Sequence, residues 1–225
     1  MSLQDSIQTL AKEAVKLVNG AKVIGLGSGN TVSFIVREMA KLPSKESIEF
    51  VATSLQIKLE AEKASLRIAD ENKIPDIEIV FDGADQIDSK FNMIKGGGGA
   101  LLREKVLISA AQKVVIAGDE SKFVQFFSRS VPIEVHPMAR SVVSKKLMEM
   151  GARPALRTVE KGYPIITENG NIILDTNFPS IYDPKKKEVE LKNIAGVIEV
   201  GLFTRKPDIL YKAKSDGTFE TIVSQ

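Results

Sequence analysis

The sequence predicts an α/β protein: a Rossmann-like open, mostly parallel sheet flanked by helices, with a smaller inserted α+β subdomain. Three observations predict it. Short apolar runs rich in β-branched residues, at Val23–Leu26, Ile48–Ala52, Ile77–Phe81 and Lys113–Ala117, alternate with stretches of helical apolar spacing, as in strands joined by crossover helices. Polar and glycine-rich segments follow these runs at once, so chemistry is gathered at one sheet edge. From about residue 129 the order changes to shorter strands, a helix and an Asn-Gly turn signal, which marks a separate α+β piece. The predicted domains are 1–128 with 204–225, and 129–203.

Composition narrows the function classes. With 225 residues, 43% of them hydrophobic, the chain can bury a substantial core. Its 31 basic and 29 acidic residues are interspersed and leave a net charge of +2, too balanced for a nucleic-acid or membrane-surface protein. No window has the length of a membrane span, and residues 1–18 form a polar amphipathic segment rather than a signal peptide. A cytoplasmic protein is expected. The absence of cysteine excludes disulfides, a thiol nucleophile and a thiolate-held metal, and His136 alone argues against a histidine zinc site. Any catalysis must run on carboxylates, lysines and backbone dipoles.

In order, residues 4–18 place Ile7, Leu10, Ala11, Ala14, Val15 and Val18 at helical spacing, and Asn19-Gly20 ends that helix. The first strand, Val23–Leu26, runs into Gly27-Ser28-Gly29-Asn30-Thr31 and a helix to about Ala40. A dinucleotide fingerprint would need glycine at position 30 and a carboxylate after the second strand; the chain has Asn30 there and Thr53-Ser54 after that strand. The hydroxyls of Ser28 and Thr31, beside N–H groups of a helix start, suit a single phosphate better. The turn alone fits equally well a tight connection with a capping serine. A helix at residues 55–64 and a turn at Ile74-Pro75-Asp76 lead to the strand Ile77–Phe81.

That strand stops at Asp82, which puts Asp82 and Asp85 at its carboxyl end, the edge where open parallel sheets bind ligands. The run Gly96-Gly97-Gly98-Gly99 lets backbone N–H groups approach an anion, and Ala100–Leu107 reads as the next helix, with Glu104 in its early turns. The strand Lys113–Ala117 ends at Gly118-Asp119-Glu120-Ser121-Lys122; Lys122 by itself reads as a solvated lysine. Next come strands at Val131–Val135 and Arg153–Leu156 with a helix at residues 138–150 between them. A hairpin is expected from Pro164–Thr167 and Ile172–Asp175 around Asn169-Gly170, then a helix at 184–193 and a strand at Val197–Val200. Ile209–Lys212 and Thr218–Ile222 return as strands to the first domain. His136 ends a strand of the smaller piece and receives no catalytic role.

The pattern Asp82-Gly83-Ala84-Asp85, then Lys95-Gly96-Gly97-Gly98, then Arg103-Glu104-Lys105 resembles the A-type ribose-5-phosphate isomerases. Ile133–Ala139, Glu168–Asn171 with Ile173–Asp175, and Gly196–Phe203 extend the resemblance over nearly the whole chain. It implies an aldose-ketose isomerase of the non-oxidative pentose phosphate pathway, interconverting ribose 5-phosphate and ribulose 5-phosphate through an enediolate. Glu104 matches the general base, Asp82 the group handling hydroxyl protons and ring opening, Asp85 an orienting carboxylate and Lys95 the charge that holds the enediolate oxygens. Lys95 is expected at an exposed strand edge. Ser28, Gly29, Asn30 and Thr31 match a second binding loop; Gly83, Ala84, Gly96, Gly97, Gly98 and Lys122 complete the substrate-binding set. The scheme calls for no metal or organic cofactor, and the family implies a homodimer or homotetramer. Relatives often carry a lysine early in the first helix and a serine at position 30, where this chain has Gln4, Gln8 and Asn30.

Two other classes make different demands. A sugar-phosphate sensor would carry a helix-turn-helix, and none is evident before Val23. The other is a sugar-phosphate deaminase or acyl-CoA transferase on a related fold; the deaminase would place a histidine among its acid-base groups, and only His136 is present. In the bland reading Asp82 and Asp85 cap a turn, Lys95 and Glu104 are solvated and the glycines only permit a tight connection.

Overall fold

The computed structural model describes residues 2–70 and 76–224. In chain order the elements are α1 (Leu3–Ala14), β1 (Val23–Leu26), α2 (Asn30–Met39), β2 (Glu49–Ala52), α3 (Leu55–Lys63), β3 (Ile79–Asp82), β4 (Gln86–Ile87), β5 (Met93–Ile94), α4 (Leu101–Ala110) and β6 (Lys113–Asp119). They continue as β7 (Val131–Val135), α5 (Arg140–Glu149), β8 (Arg153–Leu156), β9 (Ile172–Asn177), α6 (Pro184–Lys192), β10 (Val197–Val200), β11 (Leu202–Phe203), β12 (Ile209–Ala213) and β13 (Phe219–Val223). The chain divides into two compact units.

The first unit comprises Met1–Ala84, Arg103–Lys122 and Lys206–Gln225. Its sheet has the order β13-β12-β6-β3-β1-β2, parallel throughout except for the β12–β13 pair. From β1 the chain steps to β2 on one side and returns to β3 on the other, so the strand order reverses beside β1. At such a switch point the strand ends splay and leave room for a ligand. α1 starts at a capping box made by Ser2 and Asp5. Leu10, Ala11 and Ala14 of α1 and Val32, Ile35, Val36 and Met39 of α2 pack with Ile24, Leu26, Phe81 and Val115 of the strands in one core. Apolar spacing fixes which face of each helix is buried; the sheet then holds Asp82 at the end of β3.

Several boundaries differ from expectation. The first α-helix stops at Ala14 and a single 3-10 turn, Val15–Val18, completes it. β3 takes in Asp82, and β6 runs on to Asp119. The ladder explains both: Asp82 is in register with Ile116, and Asp119 with Ala213, so pairing outlasts the apolar runs. Of the turn expected at Ile74-Pro75-Asp76, Ile74 and Pro75 lie outside the described residues.

The second unit comprises Asp85–Leu102 and Phe123–Arg205. It holds an antiparallel sheet of order β10-β7-β9-β8 and a small sheet of order β11-β5-β4. Ile133 and Val135 of β7 pack with Val143 and Leu147 of α5, Leu191 of α6 and Leu174 of β9. The strand expected at Pro164–Thr167 does not form; Ile166 makes an isolated bridge to Ile172. β9 is already flanked by β7 and β8, which leaves the incoming segment only the end of the strand to touch. β4, β5 and β11, with two residues each, are too short to show a period in the sequence. No helix among the described residues is long and apolar enough to cross a membrane.

Candidate active site

In the first unit, chemistry collects where β1 and β3 end. Asp82 is 1% exposed, and its Oδ1 accepts a hydrogen bond from the Gly83 N–H at 2.7 Å. The Gly27 N–H donates to Phe81 O at 2.8 Å, which carries the β1–β3 pairing past the strand. A β-carbon at Gly27 would lie 2.0 Å from Asp82 Cγ and Oδ1. The carboxylate therefore rests on bare backbone, in space that exists only because residue 27 has no side chain. Gly83 has ordinary room, with Ala117 O and Ser28 O at 3.7 and 3.9 Å from the same construction.

The turn after β1 forms a hydroxyl cluster. Ser28 Oγ lies 2.8 Å from Thr53 Oγ1 and donates to Ser54 Oγ at 2.8 Å. Gly29 takes a positive φ of 96° and its N–H donates to Gln56 Oε1 at 3.1 Å. α2 begins at Asn30 with no side-chain cap, so its positive dipole end faces the exposed Asn30 and half-buried Thr31. Thr53, Ser54 and Gln56 did not figure among the expected site residues. Their signal was the Thr-Ser pair between a strand and a helix, a pattern that also reads as a plain cap; Ser54 does cap α3 through the Ile57 N–H.

Glu104 stands in the first turn of α4 and is 5% exposed. It shares the buried helix face with Leu107 and Ile108, and a carboxylate near a helix start is favoured by the dipole. Lys122 folds back over the end of β6, its Cγ 3.5 Å from a β-carbon built at Gly118 and its Nζ 4.0 Å from Asp119 Oδ2. Its side chain is partly covered rather than fully solvated.

In the second unit, Asp85 and the glycine run are joined directly. Asp85 Oδ2 accepts from the Gly97 N–H at 2.8 Å, and a β-carbon at Gly97 would fall 2.6 Å from Asp85 Oδ1. Gly96 and Gly99 take positive φ angles of 103° and 86°, which glycine adopts without a steric penalty. Gly96 is buried, Gly97 and Gly98 are exposed, and Ala84 in the first unit is half-buried. Lys95 corrects an expectation: the sequence placed it at an exposed strand edge, whereas it is 2% exposed. β11 pairs along β5 and covers it; the Lys95 N–H donates to Gly201 O at 2.9 Å, and its Nζ lies 5.5 Å from the Phe203 ring centroid.

A buried carboxylate can exchange protons with a substrate, and a buried ammonium can hold developing negative charge in a low dielectric. Among the described residues no three His, Cys, Asp or Glu side chains are grouped to hold a metal ion. His136 Nδ1 accepts from the Met138 N–H and caps a 3-10 turn.

Residues 49–217 match the family described as Ribose 5-phosphate isomerase A (phosphoriboisomerase A). Ribose-5-phosphate isomerase A of Methanosarcina acetivorans is 39% identical over 94% of this chain and 92% of its own length. That of Pyrococcus abyssi is 37% identical over 96% and 97%. Among solved structures, ribose 5-phosphate isomerase A from Methanocaldococcus jannaschii superposes with a TM-score of 0.91 at 36% identity, covering 99% of this chain and 100% of its own. A D-ribose-5-phosphate isomerase in complex with phospho-erythronic acid gives 0.93 at 36% identity, with both chains fully covered.

Proposed function

The chain belongs to the ribose 5-phosphate isomerase A family, and on that premise we propose that it interconverts D-ribose 5-phosphate and D-ribulose 5-phosphate through an enediolate. The reaction moves one proton from C2 to C1 and another between the two oxygens, with no net change in oxidation state. Glu104 takes the C2 proton and returns it to C1. Asp82 moves the hydroxyl proton and assists ring opening. Lys95 holds the negative charge of the enediolate oxygens. Asp85 orients the sugar, with Gly97 fixing its carboxylate, and Gly96 and Gly98 wall the substrate with bare backbone. Ser28, Gly29, Asn30 and Thr31 take the phosphate at the start of α2, Gly83 and Ala84 line the sugar, and Lys122 supplies a further contact.

One observation supports this division of roles above the others: Asp82, Lys95 and Glu104 are 1%, 2% and 5% exposed. Removing an ionisable group from water costs free energy that a leucine in the same place would not cost. Groups held that way are candidates for chemistry. The scheme uses no metal.

We further propose that the protein acts in the cytoplasm as a homodimer or homotetramer. Phe126, Met138, Val142, Tyr163 and Tyr182 of the second unit are exposed and are the apolar side chains that a second copy would cover.

The test is to supply purified protein with ribose 5-phosphate alone and follow ketose formation, with and without a chelator. Turnover should be the same in both. Glu104→Gln should lower kcat by about a hundredfold or more, as removal of a general base does, while sugar-phosphate binding persists. Absence of ketose, or a Glu104→Gln protein with parental kcat, refutes the proposal.

A further inference from the structure

We propose that Arg157, held by Asp175, is a positioning residue that aims the backbone N–H groups of the glycine run, an inference that rests on the isomerase reading above. Arg157 follows β8, and Asp175 lies in β9. The guanidinium meets the Asp175 carboxylate in a two-pronged pair, Nε to Oδ2 at 2.8 Å and Nη2 to Oδ1. Its remaining terminal nitrogen, Nη1, donates to Gly96 O at 2.8 Å and to Gly97 O at 3.0 Å. The base of the side chain is fixed as well, because the Arg157 N–H donates to Ile173 O at 2.9 Å and its carbonyl accepts from the Ile165 N–H at 3.0 Å. The Arg157 side chain is 13% exposed.

Four successive glycines specify almost no backbone conformation by themselves, so beyond the one turn bond inside the run, Gly99 N–H to Gly96 O at 3.0 Å, their shape must be imposed from outside. Peptide planarity says how Arg157 imposes it. In a trans peptide the C=O and the following N–H point in opposite directions. The Gly96–Gly97 peptide is pinned at both ends, its oxygen on Arg157 and its N–H on Asp85 Oδ2. The Gly97–Gly98 peptide also turns its oxygen to Arg157, so the Gly98 N–H is directed away from the guanidinium. One planar fork thus sets two consecutive peptide planes. A lysine could not, because a single ammonium cannot span a carboxylate and two carbonyls in fixed geometry.

The experiment uses Arg157→Lys, Arg157→Ala and Asp175→Asn in the full chain, with thermal melts and steady-state isomerisation. Arg157→Lys should melt close to the parent yet lose about tenfold to a hundredfold in kcat, with KM changed by less than about threefold, as expected when transition-state donors are misaimed. Asp175→Asn should show a smaller loss in the same direction. Millimolar guanidinium should restore part of the turnover of Arg157→Ala, and equal ethylammonium should not. Parental kcat in Arg157→Lys, failure of that variant to fold, or a loss in Arg157→Ala that guanidinium leaves untouched would each overturn the proposal. A parent that makes no ketose would fail the isomerase reading itself; an active parent with an equally active Arg157→Lys fails this inference alone.

Discussion

Gly27→Ala tests whether the room for Asp82 is structural in origin. The backbone at Gly27 is not in the left-handed region, so alanine suits its conformation and the whole cost is steric. The new β-carbon would fall 2.0 Å from Asp82 Cγ and Oδ1 and 2.6 Å from Asp82 Cβ. Carbon atoms in contact settle at about 3.5–4.0 Å, so the carboxylate must retreat by about 1.5 Å. Two routes exist: Asp82 turns and gives up the Gly83 N–H, or β1 and β3 part and give up the Gly27–Phe81 bond. Overpacking of this kind costs about 1–3 kcal/mol, which for a chain of this length lowers the melting temperature by about 3–10 °C. Displacing an acid-base group by an ångström or more should lower kcat by about a hundredfold. Gly25→Ala is the control, since its β-carbon meets Val80 Cγ2 at 2.9 Å and Ile77 Cγ2 at 3.4 Å. It overpacks the same strand away from Asp82 and should lower the melt while sparing kcat. Circular-dichroism melts and ketose assays well below both transitions read the two effects. A Gly27→Ala protein with parental kcat, or a Gly25→Ala protein that loses as much, refutes the reasoning.

Three further outcomes are expected. Lys95→Met keeps most of the buried stem volume and should fold nearly as the parent, while lowering turnover about a hundredfold; Lys95→Ala should also lose about 2–4 kcal/mol of stability through the void it leaves. An active Lys95→Met enzyme contradicts the role of the ammonium. Glu134 is fully buried and its Oε1 accepts from Thr167 Oγ1, Asn169 Nδ2 and Asn171 Nδ2 at 2.8, 3.0 and 2.9 Å. Glu134→Ala should destabilise by about 2–5 kcal/mol and Glu134→Gln, which keeps an acceptor oxygen, by much less; equal denaturation midpoints would dismiss that account. Burial first, and the nearby Glu13 charge second, hold the Tyr211 phenol above its ordinary value of 10.0. Its share of stability is therefore complete below pH 10.0 and is lost as pH rises through the folded-state value, because the unfolded phenol ionises first. Tyr211→Phe should flatten that alkaline decline, and identical pH–melt curves would contradict it.

The place of Asp82 was legible because an apolar run that stops at a carboxylate puts that carboxylate at the strand's end. Glu104 was legible only as a residue of the early turns of α4; its place on the buried face beside Leu107 and Ile108 came from the fold. Lys95 was misplaced because its cover, β11, comes from much later in the chain and is two residues long. Nothing local to Lys95 announces a strand at Phe203. Arg157 was invisible for a related reason: an arginine after a strand has no periodic signal, and its partners are carbonyls of glycines far back in the sequence. The Pro164–Thr167 strand failed by competition, since its pattern was sound but both edges of β9 were taken.

The glycines around the site do three different jobs, and only one of them is flexibility. At Gly27 the absent side chain is a volume that a carboxylate fills. At Gly97 the same absence lets Asp85 close on the backbone N–H. At Gly96 it permits a positive φ that turns the chain out of β5 and brings two carbonyls to Arg157. At each position a side chain from elsewhere occupies or clamps the space that glycine leaves. The entropy lost in ordering such a run, about 1–2 kcal/mol per residue, is offset by contacts from Asp85 and Arg157 together with the turn bond from the Gly99 N–H to Gly96 O. Loosening those contacts should therefore change catalytic geometry before it changes whether the protein folds.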